Sequence, residues 1–376
     1  MGLTGSRSTV SRPHQRLNHS LGFCYPAAQD QIMSPNNQNA FTALRLLAAY
    51  AVIITHSYVV LGLGSDWLEQ HGFPQFSELG VNAFFAISGY LVCKSLQRNP
   101  NPLAYLRNRA LRIFPGLAVL ILLTIFVAGP IMTHMWLPEW LEYLTNLTLY
   151  NSVPTLPHFF ATTPIPVING SLWTLPLEVT CYLILLGVSW AGALNWKGML
   201  LMLAGFYVAL MGDLLWQGNM LAGVSTFQLA RLGIYFWGGA FIATITLPRS
   251  WGLWVAAVVV ALAPFYLFAA DHDWKIKAYA FNLLLPFIVI FAAERLPKLA
   301  FLNRFDISYG VYIYAFLVQQ MLVWHFGTSL HPTSLTMLTI VIVTPIAAVS
   351  WFLIEKPALA LKNGFVGSRR KATQTA

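Results

Sequence analysis

The feature that most limits this chain is a succession of apolar stretches, each about 20 residues long and nearly free of charge. That is the length a helix needs to cross the hydrocarbon core of a bilayer. Ten such stretches fall near residues 40–63, 79–97, 113–134, 170–191, 198–216, 227–247, 251–270, 276–294, 306–326 and 333–354. Backbone polar groups in lipid must be satisfied within the segment, so each stretch is read as a helix. Composition agrees: 57% of residues are hydrophobic and only 9% charged. So few charges could not keep the remaining apolar surface soluble, which excludes an ordinary soluble enzyme and a disordered chain. The 13 Trp suit the two interfaces of a membrane. The expected fold is an all-α, polytopic membrane protein with about ten transmembrane helices.

Polar tails flank this domain. Residues 1–39 carry Arg7, Arg12, Arg16, several prolines and the run Asn36-Asn37-Gln38-Asn39. They lack the apolar stretch of a secretory signal, and are expected to form a mobile cytoplasmic tail. Residues 40–360 form the membrane domain, and residues 361–376 a second cytoplasmic tail. An even number of crossings puts both termini on one side. With that side in the cytoplasm, 18 of the 22 Lys and Arg lie there, while only Lys275 and Lys277 lie opposite. Arg45 and Arg231 fall within spans. This bias supports both ends inside the cell, and explains the net charge of +9 without nucleic acid. Cys24, Cys93 and Cys181 form no disulfide frame or metal-ligand pattern. The longest outer connection, 135–169, holds five prolines and reads either as a mouth or lid, or as a loop packed over helix ends.

Ionisable residues inside spans are costly and mark function by default. Arg45 and His56 lie eleven residues apart, on one helix face and about 16 Å apart along the axis. A structural reading makes the first a snorkelling residue and the second a helix-contact hydrogen bonder. Ser88-Gly89 permits close approach of a helix or a ligand. Arg109 and Arg112, one turn apart, suit phosphate oxygens, or serve topology alone. Asn169-Gly170-Ser171-Leu172-Trp173-Thr174-Leu175-Pro176-Leu177-Glu178 opens the fourth span and buries a carboxyl. Helical spacing puts Ser171 and Glu178 on nearly one face, and Pro176 predicts a kink or an exposed carbonyl near Leu172. Glu178 reads either as a functional carboxyl or as a tie to an Arg or His of another helix. In Glu355-Lys356-Pro357 the proline is expected to stop the last helix, with Lys356 near any anion bound there.

In order along the chain, Arg45-(ten residues)-His56, Phe84-Phe85-Ala86-Ile87-Ser88-Gly89-Tyr90, Arg109-x-x-Arg112-Ile113-x-Pro115, Ser171-Leu172-Trp173-Thr174-Leu175-Pro176-Leu177-Glu178 and Glu355-Lys356-Pro357 resemble the acyltransferase-3 family of integral membrane O-acyltransferases. The resemblance covers about residues 40–358. Its closest likeness, in Asn169–Pro176 and in Tyr314-Ala315-Phe316-Leu317-Val318-Gln319-Gln320, is to the exopolysaccharide-modifying branch. The family often has a histidine where Ala315 stands here. An appended hydrolase-like domain is not expected, because the chain ends 16 residues after Ala360.

The resemblance implies transfer of an acyl group, mostly acetyl, from cytoplasmic acyl-CoA to a sugar hydroxyl of an extracytoplasmic polysaccharide or glycolipid. His56, Arg45 and Glu178 are then the candidate catalytic residues. Arg109, Arg112, Ser88 and Lys356 are candidates for acyl-CoA, and Trp173 and Ser171 for the carbohydrate acceptor. No metal is called for. Membrane lipids and polysaccharide assembly machinery are the expected partners. A rival reading is a transporter or flippase of a polysaccharide export system, with Arg45, His56 and Glu178 as a proton or anion path. A third is an inactive scaffold in such a system.

Overall fold

A computed structural model describes residues 40–133, 137–211, 219–221, 223–267, 274–296 and 305–362, with only the backbone described at Met211 and 274–279. The expected N-terminal tail lies outside the described residues, as do residues 363–376, Cys24, His134, Asp271, His272, Asp273, Lys298 and Arg304.

Each expected span contains a helix among the described residues. In chain order they are α1 (Phe41–Val60), the short α2 (Trp67–Gln70) in the first connection, α3 (Phe76–Arg98), α4 (Pro102–Leu123), α5 (Gly129–Thr133), α6 (Thr174–Trp190), α7 (Trp196–Met211), α8 (Thr226–Ile242), α9 (Trp251–Leu267), α10 (Trp274–Arg295), α11 (Ser308–Phe326) and α12 (Pro332–Ser350). A two-residue hairpin of β1 (Met220–Leu221) and β2 (Val224–Ser225) precedes α8. Among the described residues, four continuous helical stretches are long and apolar enough to cross a membrane: Phe41–Val60, Phe76–Arg98, Pro102–Thr133 and Pro332–Lys362. The expected all-α, membrane-type fold is thus seen, and of the ten expected crossings four have the length and apolarity of a span among the described residues.

The interior position of α11 accounts for its polar sequence. It packs against α1, α12 and α4. Gln319 and Gln320 are fully buried on it, and Tyr309, Tyr312 and Tyr314 nearly so. Each finds a backbone or hydroxyl partner, such as Gln319 Nε2 to Ile53 O at 2.9 Å and Tyr309 Oη to Ile113 O at 2.7 Å. A helix enclosed by protein needs satisfied polar groups rather than an apolar surface.

Two expectations about proline need correction. Pro357 does not stop the last helix. A π-turn at Trp351–Glu355 follows α12, and helix continues to Lys362. Another π-turn, Thr124–Ala128, joins α4 to α5 just before Pro130. A proline ring clashes with the carbonyl four residues back, and widening the preceding turn relieves the clash without ending the helix. Pro176 does not kink a span either. α6 begins at Thr174, so Pro176 sits in its first turn, where a missing N–H costs no intrahelical bond. Ser171 consequently precedes the helix, and the helical spacing that put it on one face with Glu178 does not apply.

The 137–170 connection packs over the bundle. Trp140, Tyr143, Phe159, Phe160 and Ile168 are buried in the same cluster as α4 and α11 residues. Gln320 Nε2 donates to Ile165 O at 2.7 Å, and Asn169 Nδ2 donates to Ile313 O at 2.7 Å.

Candidate active site

The polar residues that sequence reading singled out fall into three groups. The first surrounds His56. Its ring meets Phe316 edge to face at 5.0 Å between centroids, and its Nδ1 is buried without a hydrogen-bond partner among the described residues. It lines a cavity of about 280 Å³ together with Trp173, Tyr312, Asn82 and Gly170, and with Glu69, Gln75, Glu78 and Arg231 from the connection-side ends of the helices. Trp173 remains 42% exposed, so its indole is available to a ligand. The Arg231 guanidinium lies 6.0 Å from the Trp173 ring centroid and pairs with Glu78 at 2.6 Å. Tyr312 Oη bonds Thr174 Oγ1 at 2.7 Å and Ser171 O at 3.1 Å, fixing one wall. The Ser171 hydroxyl is buried and has no partner among the described residues.

A buried aspartate ties this cavity together. Thr55, next to His56, donates to Asp66 Oδ2 at 2.5 Å, and the Phe76 amide donates to the same oxygen at 2.8 Å. Asp66 Oδ1 caps α2 through the Glu69 amide at 3.1 Å, while the Ser77 amide donates to Thr55 Oγ1 at 2.8 Å. One carboxylate thus locks α1 beside His56 to the segments carrying Glu69, Gln75 and Glu78. Sequence analysis assigns Asp66 no role. Its signal was the spacing Asp66-x-x-Glu69, which marks a helix start.

The second group lies where α3, α4 and α6 meet. Ser88 Oγ donates to Glu178 Oε1 at 2.8 Å and bonds Tyr182 Oη at 2.6 Å; Tyr182 Oη also donates to Glu178. Glu178 is tied to hydroxyls, with no ion pair to an Arg or His among the described residues. Arg109 lies over the Tyr182 ring, 5.7 Å from its centroid.

The third group gathers at the start of α11. Asp306 Oδ2 accepts from Arg45 Nη1 at 2.8 Å and from Arg112 Nη2 at 2.9 Å. Glu355, buried, lies 4.0 Å from Arg112 Nη1 and accepts from Ser350 Oγ at 3.1 Å. Arg45 and Arg112, read separately in the sequence, share one carboxylate oxygen. Lys356 is exposed, its ammonium 5.5 Å from the Phe352 ring centroid.

The sequence profile described as an acyltransferase domain matches residues 38–355, nearly the whole described domain. The chain belongs to the acyltransferase-3 family. An O-acetyl transferase of Shigella phage Sf6 is 32% identical over 335 residues, covering 85% of this chain and 96% of that protein. Nodulation protein 10 of Rhizobium leguminosarum bv. viciae is 30% identical over 372 residues, covering 89% of this chain and 97% of that protein. No solved structure matches the chain. The family and these relatives support an O-acyltransferase of membrane type.

Within this acyltransferase, Asp306, Asp66, Glu78 and Arg231 are the site residues that sequence reading left without a role. Ala315 is buried in the α11 core.

Proposed function

We propose that the protein transfers an acetyl group from cytoplasmic acyl-CoA to a sugar hydroxyl of an extracytoplasmic polysaccharide or glycolipid, in the inner membrane with both termini inside. The observation that carries this reading is the cavity on His56. It combines an unpaired imidazole nitrogen, an exposed indole and planar polar side chains, the mix of aromatic face and hydrogen-bonding groups that suits a sugar. The cation-rich end around Arg45, Arg109 and Arg112 suits the phosphates of CoA. Continuous α1 separates Arg45 from His56 by about 16 Å, a span for the extended pantetheine arm.

In the reaction, the acceptor hydroxyl gives its proton to His56 as its oxygen attacks the thioester carbonyl. The C–O bond forms, the C–S bond breaks, and the CoA thiolate leaves, taking a proton back from the imidazolium. A two-step path through acyl-histidine balances equally. Arg45 marks the cation-rich end, and Glu178 is held by Ser88 and Tyr182, which fits a role in lining the donor path. The homology to an O-acetyl transferase favours this reading over the transporter alternative.

The test measures ester-linked acetyl on surface polysaccharide from deletion strains complemented with wild type, His56→Ala or His56→Gln, normalised to folded protein in the membrane. Both variants are expected to lose transfer while still binding acetyl-CoA, because Gln hydrogen-bonds but takes up no proton near neutral pH. Near-normal transfer by His56→Gln removes His56 from proton transfer.

A further inference from the structure

The π-turn that lets the last helix pass Pro357 also delivers Lys362 to the start of α4. Arg107 Nη2 donates to the Lys362 carbonyl at 3.2 Å, docking that helix end on α4. The half-buried Lys362 ammonium then lies within electrostatic reach of Arg107, Arg109 and Arg112. Of these cations, Arg112 has a protein counter-ion: Asp306 holds it at 2.9 Å, with Glu355 behind. Arg109 and Lys362 have no carboxylate at ion-pair distance among the described residues. Arg109 Nε is buried without a hydrogen-bond partner among the described residues. The sequence supplies no nearby acid by chain continuity either. No Asp or Glu occurs between Glu78 and Glu139 or after Glu355, and the last residues add Arg369, Arg370 and Lys371.

Like charges brought together and partly shielded from water repel unless an anion joins them. A guanidinium and an ammonium from two different helices suit one phosphate, the first as a planar fork and the second as a point charge. We propose that Arg109 and Lys362 are the phosphate-binding pair for the nucleotide end of the donor, and that Arg112 is instead a structural counter-ion of Asp306. This assignment rests on acyl-CoA being the donor. The same phosphate chemistry occurs in an anionic lipid headgroup, and the test separates the two sources.

The full-length protein, purified in a neutral detergent, is titrated with acetyl-CoA and with acetyl-pantetheine, which carries the same thioester but no phosphate. Arg109→Gln and Lys362→Gln are each expected to weaken acetyl-CoA binding about tenfold, one charge-assisted contact's worth. Affinity for acetyl-pantetheine should not change, and Lys362→Arg should restore most of the loss. Wild-type affinity for acetyl-CoA in folded Lys362→Gln overturns the proposal while leaving acyl-CoA as donor. Failure of the wild type to bind acetyl-CoA overturns the donor itself. In nanodiscs, loss of phosphatidylglycerol retention by both variants with acetyl-CoA affinity intact assigns the pair to lipid, and overturns the nucleotide assignment.

Discussion

At the scale of single residues, two aspartates hold the opposite ends of the site. Asp306 sits between Arg45 and Arg112, so Asp306→Asn leaves two guanidiniums facing each other with one neutral acceptor. Breaking such a partly buried network by removing one partner costs on the order of 3 kcal/mol. Thermal unfolding in detergent should show a lower midpoint for Asp306→Asn, whereas a midpoint equal to wild type would make the triad a surface pairing of little weight. Asp66→Ala should act differently. It frees the segments carrying Glu69 and Gln75 while leaving the cation end untouched, so acetyl transfer should fall with acetyl-CoA binding retained. Sequence could suggest Asp66 as a helix cap, because a cap and its partner are neighbours in the chain. It could not suggest Asp306, whose partners lie 261 and 194 positions away. Arg45 and Arg112 were legible as costly cations; their shared counter-ion is a product of tertiary packing. Glu178 shows the same limit: a buried carboxyl was evident, but its hydroxyl partner Ser88 comes from another helix.

At the scale of elements, α3 and α8 meet backbone to backbone. A Cβ added at Gly89 would fall 1.9 Å from Phe236 O, and one at Gly239 2.0 Å from Ala86 O. Both obstacles are carbonyls, which no side-chain rotamer can move. Gly239→Ala must therefore part the helices, at a cost above the usual 1–3 kcal/mol of a single overpacked methyl. The parting would also displace Ser88 from Glu178. Gly239→Ala is expected to reduce folded protein in the membrane sharply, as read by gel filtration of a fluorescent fusion. A normal monodisperse peak would mean that α3 and α8 are less tightly apposed. The pairing of Ser88 with Gly89 advertised a close approach in the sequence, and the visitor is a helix. The π-turns before Pro130 and Pro357 were not advertised. Proline rules treat the ring as a stop, but an enclosed helix can absorb the clash by widening one turn.

At the scale of the molecule, the helical segments were legible because apolar length is a property of contiguous sequence, whereas the cavity on His56 draws on five separate stretches of chain and was not. The two ends of the bundle differ in charge: Asp66, Glu69 and Glu78 lie at the His56 end, while Arg107, Arg109, Arg112 and Lys362 lie at the other. That polarity has a direction only once the membrane sides are known, and the bias of 18 basic residues against two sets the expectation. Cysteine labelling can read it with little background. Cys93 and Cys181 are fully buried, so replacing Cys24 with Ser should leave few reactive thiols. Thr155, exposed in the connection at the His56 end, is a suitable reporter. Thr155→Cys in that background should react with a membrane-impermeant maleimide on intact cells. Labelling only after permeabilisation would put the His56 cavity in the cytoplasm and the arginine end outside. A cytoplasmic thioester would then face the acceptor cavity directly, the cations would lie out of reach of CoA, and the transfer would run on one side of the membrane instead of across it.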